Sequence, residues 1–142
     1  GDVSLLGAAA ADVLITPHPG EFARLTGRSI GEVLASPIAL AEEFARAHRC
    51  TVMLKGASTF VTDGKRGALV VNGSPAQSKG GSGDTLSGAI LGIAAQGNSL
   101  FDSACTATWL CAEAAKRAAT DHGETGVLAS DVAKQLKNIL GR

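Results

Sequence analysis

The stretch that decides the fold class is a glycine-rich segment running directly into an apolar helix: Lys79-Gly80-Gly81-Ser82-Gly83-Asp84-Thr85-Leu86-Ser87-Gly88. Its glycines allow the backbone to approach a ligand closely and to point successive amide N–H groups in one direction. The helix that follows adds unpaired N–H groups and the positive end of its dipole. The segment therefore predicts an anion site suited to a phosphate group, although it is not a Walker motif.

A carboxylate, Asp84, stands at the mouth of this predicted anion site. Its negative charge would weaken simple phosphate binding. The position is better suited to a base that takes a proton from a hydroxyl attacking a phosphoryl group. In the alternative interpretation, Asp84 is an ordinary N-terminal helix cap behind a glycine-rich loop. The spacing fits both interpretations equally.

A second candidate segment, Thr16-Pro17-His18-Pro19-Gly20-Glu21, follows an apolar strand predicted at residues 13–15. Open α/β sheets bind ligands at the carboxyl ends of their strands. His18 is held stiffly between two prolines, and Glu21 opens a helix whose dipole favours a carboxylate. Taken alone, these residues fit a rigid surface turn slightly better than a ligand site.

A third candidate segment, Lys55-Gly56-Ala57-Ser58-Thr59, follows a buried-type strand predicted at residues 51–54. The ammonium group of Lys55 suits a phosphate or a carboxylate, and the two hydroxyl groups suit hydrogen bonds to a ligand. This signal is weak alone because a Lys-Gly pair is common. Together, three loops carrying His, Lys and Asp with a phosphate cradle indicate a nucleotide-using enzyme.

The composition excludes several classes of protein. The chain has 142 residues, with 13 Lys plus Arg against 13 Asp plus Glu and 45% hydrophobic residues, as in a globular domain with its own core. Its neutral charge argues against nucleic acid or an anionic membrane as a partner. No apolar run approaches the roughly 20 residues of a membrane span. Cys50, Cys105 and Cys111 form no CxxC pair, so we expect reduced core thiols with no zinc site and no disulfide framework, and a cytoplasmic location.

Helical and strand patterns alternate, which predicts one α/β unit over residues 1–142. Helices are predicted at residues 3–11, 21–25, 84–95 and 99–120. Two more are predicted, one that starts at Pro37 and a last one that runs from Ser130-Asp131 through Leu140. Strands are predicted at residues 13–15, 51–54, 59–62 and 68–71. The last two strands form a hairpin with its turn at Asp63-Gly64, and residues 124–126 form a loop. The strands are few for so many helices, and the chain opens at Gly1-Asp2 as if inside an element. We therefore expect the C-terminal part of a longer domain.

Several residues are expected to shape the local backbone. Ser36-Pro37 is a typical helix start with Ser36 as the cap, and Ser130-Asp131 is expected to cap the last helix. Asn72 and Ser74-Pro75 directly precede the glycine-rich loop and are expected to set its geometry.

The set of motifs resembles the ADP/ATP-dependent NAD(P)H-hydrate dehydratase family of the ribokinase-like superfamily. The resemblance is carried by Thr16-Pro17-His18-Pro19-Gly20-Glu21, Lys55-Gly56 with Thr59, Thr62-Asp63-Gly64, Asn72-Gly73-Ser74-Pro75, Gly80-Gly81-Ser82-Gly83-Asp84 and Ala129-Ser130-Asp131. Many small-molecule kinases share Gly-x-Gly-Asp, whereas the segment that begins at Thr16 is specific to the dehydratases.

The resemblance implies a ribokinase-like three-layer α/β/α sandwich and an enzyme of nicotinamide nucleotide repair. In this family a nucleotide phosphorylates the ring hydroxyl of hydrated NADH or NADPH, and loss of phosphate restores the double bond, so the enzyme is a hydro-lyase. ADP or ATP is the implied phosphoryl donor, and Mg²⁺ is expected to shield its phosphates. A homo-oligomer, a tetramer in the family, is also implied.

The resemblance assigns roles to individual residues. Asp84 would be the base beside the ring hydroxyl, and His18 would contact the hydrated nucleotide. The transferring phosphoryl group would be stabilised by Gly81, Ser82 and Gly83. The nucleotide donor would be contacted by Lys55, Gly56, Ala57, Ser58 and Thr59, together with Gly83. No residue is assigned as a metal ligand.

The chain departs from the family in length, because the N-terminal half of the family domain is absent from it. Without that half, an open sheet edge invites pairing with another chain. One alternative function is another ribokinase-like enzyme, such as a vitamin-precursor kinase, which would release a stable phosphorylated product. A second is a nucleotide-binding module or fragment without catalytic activity.

Overall fold

The computed structural model describes residues 3–141, so the prediction about the opening at Gly1-Asp2 lies outside the described residues. In chain order the elements are α1 (Ser4–Gly7), β1 (Leu14–Ile15), α2 (Pro19–Thr26), α3 (Ile30–Ala35), α4 (Pro37–His48), β2 (Thr51–Leu54), β3 (Thr59–Thr62), β4 (Gly67–Val70), a 3₁₀ turn (Pro75–Gln77), α5 (Ser82–Ala94), α6 (Leu100–Gly126) and α7 (Ala129–Leu140). The contacts divide the chain into two compact units, one ending at Val70 and the other beginning at Val71.

The first unit contains a four-stranded sheet in the order β1-β2-β3-β4. β1 and β2 are parallel, whereas β3 is antiparallel to both of its neighbours. Every residue of β2 and β3 is buried, as expected for central strands. The predicted hairpin is confirmed. At its turn, Gly64 has a φ of 82°, and an added Cβ would lie 2.7 Å from Arg46 Cγ. This position therefore requires glycine.

Helices α2 and α4 build much of the core of the first unit. Phe22 and Phe44 are buried and meet edge to face, with ring centroids 5.4 Å apart. As predicted, α2 ends at Gly27, which adopts the left-handed conformation with a φ of 70°.

The sequence patterns do not predict α3, although its start carries a recognisable signal. Ser29 and Glu32 form a reciprocal capping box, the Ser-x-x-Glu pattern of a helix N-terminus. Ser36 occupies the predicted N-cap position of α4, and its carbonyl oxygen accepts the Leu40 N–H at 3.1 Å, but the expected side-chain cap is not formed. Ser36 ends α3 by donating its N–H to the Glu32 carbonyl oxygen at 3.2 Å, and its side chain caps nothing. Pro37 does occupy the first position of α4, as predicted.

The second unit is helical, and alanines dominate its core. The buried cluster consists of Ala76, Ala114, Ala115, Ala118, Val127 and Val132. Small side chains bring the backbones of α6, α7 and the 3₁₀ turn close together. Among the helices of residues 3–141, none is both long enough and apolar enough to cross a membrane.

Several helix boundaries differ from the predicted ones. α1 ends at Gly7 rather than at residue 11, and α5 begins at Ser82 rather than at residue 84. The loop predicted at residues 124–126 is wrong. Helix α6 kinks at Gly123 (φ 69°, ψ 156°), and the helix resumes after the kink through residues 124–126. At the start of α7, the carboxylate of Asp131 accepts the Leu128 N–H at 3.2 Å, so Asp131 of the predicted Ser130-Asp131 pair forms the bond at this helix start.

We expect Ser103→Ala to raise the free energy of unfolding by about 1 kcal/mol, because it removes a buried polar group without leaving a partner unpaired. Ser103 of α6 is fully buried, and its Oγ has no hydrogen-bond partner within residues 3–141. Urea unfolding monitored by circular dichroism measures the change. Ser99→Ala is a control that should change the free energy of unfolding in the opposite direction. Ser99 Oγ caps α6 by accepting the Asp102 N–H at 3.1 Å, so its removal should lower the free energy of unfolding by about 1 kcal/mol. A fall in stability for Ser103→Ala would contradict the prediction.

Candidate functional site

The glycine-rich loop of the second unit leaves backbone donors free at the start of α5. Gly81 precedes the helix with a φ of 84°, a conformation that favours glycine. The N–H groups of Gly81, Gly83 and Asp84 make no hydrogen bond to any described residue. A Cβ added at Gly80 or Gly83 would meet nothing within 4 Å. The loop therefore offers open, unpaired donors of the kind that bind an anion.

Asp84 differs from the other acidic residues that occupy the third position of a helix. In four other described helices that residue accepts a hydrogen bond at the start of its own helix: Glu21, Glu32, Asp102 and Asp131. Asp84 is exposed, and its carboxylate forms no hydrogen bond or ion pair with a described residue. The capping residue Gly81 has no side chain to complete a capping box. Asp84 is therefore not an ordinary cap, and its carboxylate oxygens have no partner among the described residues.

The loop is anchored to α6 before and after the 3₁₀ turn. Asn72 Nδ2 donates to Glu113 Oε1 at 2.9 Å, and Lys116 Nζ donates to Asn72 Oδ1. The hydrogen bond from Asn72, followed by that from Lys116, lowers the pKa of Glu113. Lys79 Nζ donates to the Thr125 carbonyl oxygen at 3.2 Å. The predicted role of Asn72 in setting the loop is confirmed, whereas its partner Glu113 was not foreseen.

Ser74 also contributes to the geometry of the loop, as predicted. Its Oγ accepts the Ala76 N–H at 3.3 Å, and its own N–H donates to Gln77 Oε1 at 3.2 Å. Pro75 occupies the first position of the 3₁₀ turn. These bonds fix the chain direction shortly before Gly80.

In the first unit, His18 is the N-terminal cap of α2. His18 Nδ1 accepts the N–H groups of Gly20 at 3.1 Å and Glu21 at 3.2 Å. In return, Glu21 Oε2 accepts the His18 N–H at 2.8 Å, and this backbone bond is the main cause of the lowered pKa of Glu21. The rigid turn expected from the two prolines is confirmed. Glu21 thus completes a capping box in addition to favouring the helix dipole.

Lys55 lies at the same sheet edge as this turn. β1 and β2 are parallel, so their carboxyl ends are adjacent, and the Lys55 N–H donates to the Pro17 carbonyl oxygen at 2.9 Å. Lys55 Nζ is 4.0 Å from Glu21 Oε2. The structure therefore brings His18, Glu21 and Lys55 together at one exposed edge of the first unit.

The rest of the third candidate segment forms a tight turn. Gly56, Ala57 and Ser58 are exposed, whereas Thr59 is buried in β3. A Cβ added at Gly56 would lie 3.0 Å from the Ser58 carbonyl oxygen, so this glycine permits the turn. The exposed residues of the segment are accessible to a ligand, and Thr59 connects them to the sheet.

Acidification is expected to weaken the capping boxes of the first unit. Backbone hydrogen bonds lower the pKa of both Glu21 and Glu32 from the ordinary value of 4.5. Their contribution to stability is therefore complete above pH 4.5 and is lost as the pH falls through the lowered pKa. In urea titrations over this pH range, Glu32→Gln should flatten the fall in stability. The control, Glu43→Gln, changes an exposed α4 glutamate that caps no helix and should leave the pH profile as it is. If Glu32→Gln showed the same dependence of stability on pH as the unmodified chain, the predicted contribution of the Glu32 carboxylate would be wrong.

Comparison with solved structures places the fold in the ribokinase-like class. A ribokinase-like superfamily protein from Enterococcus faecalis matches 98% of this chain and 49% of its own, with a TM-score of 0.73 and 23% identity. That similarity shows the fold alone. The ribokinase-like α/β fold expected from the motifs is thereby confirmed.

The family follows from the match along the chain. The model of the NAD(P)H-hydrate dehydratase family matches residues 4–138, and this chain belongs to that family. A bifunctional NAD(P)H-hydrate repair enzyme of Vibrio cholerae is 40% identical over 130 residues, 92% of this chain and 26% of its own length. The ADP/ATP-dependent NAD(P)H-hydrate dehydratase of Bacillus subtilis, co-crystallised with ATP and Mg²⁺, matches 92% of this chain and 48% of its own, with 31% identity and a TM-score of 0.85. The chain thus spans about half or less of the length of these relatives.

Proposed function

We propose that this chain acts in the ADP- or ATP-dependent dehydration of hydrated NADH or NADPH. The observation that carries the proposal is the free carboxylate of Asp84 beside unpaired backbone N–H groups of the glycine-rich loop. The names of the relatives from Vibrio cholerae and Bacillus subtilis support the substrate class. The reaction is a phosphoryl transfer followed by an elimination.

Asp84 would accept the proton of the ring hydroxyl as that oxygen bonds to the transferring phosphorus. The bond from phosphorus to the donor nucleotide breaks at the same time. Gly81, Ser82 and Gly83 would stabilise the charge on the phosphoryl oxygens, Gly81 and Gly83 through their free N–H groups and Ser82 through its hydroxyl, which is unpaired within residues 3–141. The phosphate then leaves with the electron pair of its C–O bond, the adjacent ring carbon gives a proton to water, and the electron pair of that C–H bond re-forms the ring double bond.

The remaining candidate residues would hold the two nucleotides. We assign His18 to the hydrated nucleotide. The donor nucleotide would be contacted by Lys55, Gly56, Ala57, Ser58, Thr59 and Gly83. The ammonium of Lys55 suits a phosphate, and the exposed turn after it leaves room for one.

Mg²⁺ fits a site with few protein ligands. Within residues 3–141, no group of three or more His, Cys, Asp or Glu side chains is arranged to hold a metal ion. Mg²⁺ commonly binds through substrate phosphates, water and one or two carboxylates, so the phosphates of the donor nucleotide and water would supply most of its ligands here. When bound, the ion would neutralise charge on the phosphates.

The proposal extends to assembly and location. β1 pairs with β2 alone among the described strands, so its other edge is available for a further strand, which favours homo-oligomers such as a tetramer. Cys50, Cys105 and Cys111 form no disulfide within residues 3–141, and this feature, together with the nucleotide substrates, favours the cytoplasm. We also assign both compact units to one catalytic domain. Light scattering of the purified chain tests the assembly.

The function is tested by following NADH absorbance after hydrated NADH, Mg²⁺ and either ADP or ATP are added to the protein. Recovery of NADH with release of phosphate supports the dehydratase and identifies the donor. A stable phosphorylated product without NADH would support a ribokinase-like kinase instead. Nucleotide binding without turnover of hydrated NADH would support a binding module. Either of the last two results contradicts the proposal.

A further inference from the structure

We propose that Glu21 is a positioning residue that holds His18 as the neutral Nε2–H tautomer, so that His18 offers one neutral N–H donor to a ligand. The identity of that ligand rests on the proposed function, whereas the state of the imidazole rests on contacts within the first unit alone. These contacts involve both ring nitrogens of His18 and both carboxylate oxygens of Glu21.

The two ring nitrogens of His18 have different partners. Nδ1 accepts two backbone N–H groups, from Gly20 at 3.1 Å and from Glu21 at 3.2 Å. A nitrogen that accepts hydrogen bonds carries no proton, so the proton of the neutral ring is on Nε2. Nε2 faces Glu21 Oε1 at 3.4 Å, which is too long for a typical hydrogen bond but close enough for the carboxylate to attract an N–H dipole. The backbone of α2 and the side chain of Glu21 therefore select the same tautomer.

Glu21 uses its two oxygens separately. Oε2 accepts the His18 N–H at 2.8 Å and lies 4.0 Å from Lys55 Nζ, while Oε1 faces the imidazole. Glutamine has only one side-chain acceptor oxygen, so it can satisfy one of these contacts but not both. The requirement at this position is a carboxylate with two acceptors, which a simple capping role does not impose.

The Nε2–H donor remains available to a ligand. Its 3.4 Å separation from Oε1 is longer than the roughly 2.7–3.2 Å of a typical N–H···O hydrogen bond. The His18 side chain is 52% exposed. An uncharged N–H donor suits a neutral oxygen such as a hydroxyl or a carboxamide, whereas phosphates suit the cationic Lys55 nearby. We therefore assign His18 to a neutral oxygen of the hydrated nucleotide and not to its phosphates.

The test compares Glu21→Gln with Glu32→Gln. Glu32 is a matched control because it is the third residue of α3 in the same unit, and one of its oxygens, Oε2, accepts both the N–H and the Oγ–H of Ser29, at 2.9 and 2.8 Å. Glutamine can keep both bonds there. At position 21 it either loses the backbone bond or places an amide NH₂ against the Nε2–H of His18. ¹⁵N chemical shifts of the imidazole, measured on the full chain labelled at histidine, show which nitrogen carries the proton.

We expect a single Nε2–H tautomer for His18 in the unmodified chain and in Glu32→Gln, and a mixture of tautomers in Glu21→Gln. In the dehydratase assay, Glu21→Gln should raise the KM for hydrated NADH about tenfold with a smaller change in kcat. A His18 resonance with the proton on Nδ1 in the unmodified chain, or identical spectra for the two variants, would overturn the proposal. Because the spectra need no substrate, an inactive chain with the expected spectra would overturn only the proposed function.

Discussion

Asp84→Asn is expected to lower the rate of NADH recovery by about 10²–10⁴-fold, the usual contribution of a positioned general base. Asparagine keeps the size of the side chain but cannot accept the proton of the ring hydroxyl. Since Asp84 forms no hydrogen bond or ion pair with a described residue, the substitution breaks no contact within the described chain. The measurement is kcat with saturating nucleotide, together with nucleotide affinity by calorimetry, which should not decrease.

Asp102→Asn is the matched control for Asp84→Asn. Asp102 occupies the same third helical position in α6 and accepts the Ser99 hydroxyl. The substitution should lower stability slightly, by removing charge near the helix dipole, and should leave turnover unchanged. If Asp84→Asn retained near-normal turnover, the assignment of Asp84 as base would be wrong. Equal losses of activity in the two variants would point to a general effect of charge.

The sequence predicted most of the core elements because their signals are local. Prolines at 17 and 19 define the turn before α2, Gly27 ends that helix, and Asp63-Gly64 forms the hairpin turn. Each of these residues restricts the backbone by itself, through a fixed φ or a permitted positive φ. Such signals do not depend on partners far along the chain.

The chemical state of the candidate residues depended on partners that the sequence pattern does not reveal. The spacing of Asp84 fitted a cap and a base equally. The structure shows no capping bond from its carboxylate, and its role as a base stays a prediction. Glu21 could be read as a charge at a helix start, whereas its second oxygen faces the imidazole of His18. The Glu113 contact to Asn72 joins residues 41 positions apart, and no local pattern predicts it.

The missed elements have a similar cause. The sequence contains the Ser-x-x-Glu signal that starts α3. However, only Ser36 separates α3 from α4, and the stronger start signal at Ser36-Pro37 led to the prediction of α4 alone. In α6, the residues after Gly123 read as a loop because glycine usually ends helices. They remain helical, and Val127, just beyond them, is buried in the core of the second unit. Residues 124–126 are themselves exposed, and it is Val127 after them that packs in this core.

Gly83→Ala is expected to separate folding from nucleotide binding. The backbone of Gly83 needs no positive φ, and an added Cβ would meet nothing within 4 Å, so the chain should stay as stable or gain up to about 1 kcal/mol from helix propensity. A Cβ on a helix leans toward the N-terminus, which here places the new methyl group toward the glycine-rich loop. There the methyl group should keep a phosphate oxygen away from one backbone N–H group. The loss of that charge-assisted hydrogen bond, about 1.5–3 kcal/mol, corresponds to roughly 10- to 100-fold weaker binding of ADP or ATP.

Gly92→Ala is the control for that substitution, since it adds a methyl group to the same helix, also with nothing within 4 Å, but more than two turns from the loop. It should stabilise the chain without changing nucleotide affinity. Gly81→Ala should instead destabilise it, because Gly81 has a φ of 84° and its Cβ would lie 3.2 Å from that of Ala129. Calorimetry with ADP and urea unfolding of all three variants distinguish these effects. If Gly83→Ala bound nucleotide as tightly as Gly92→Ala, the N–H groups at the start of α5 would not be the phosphate site.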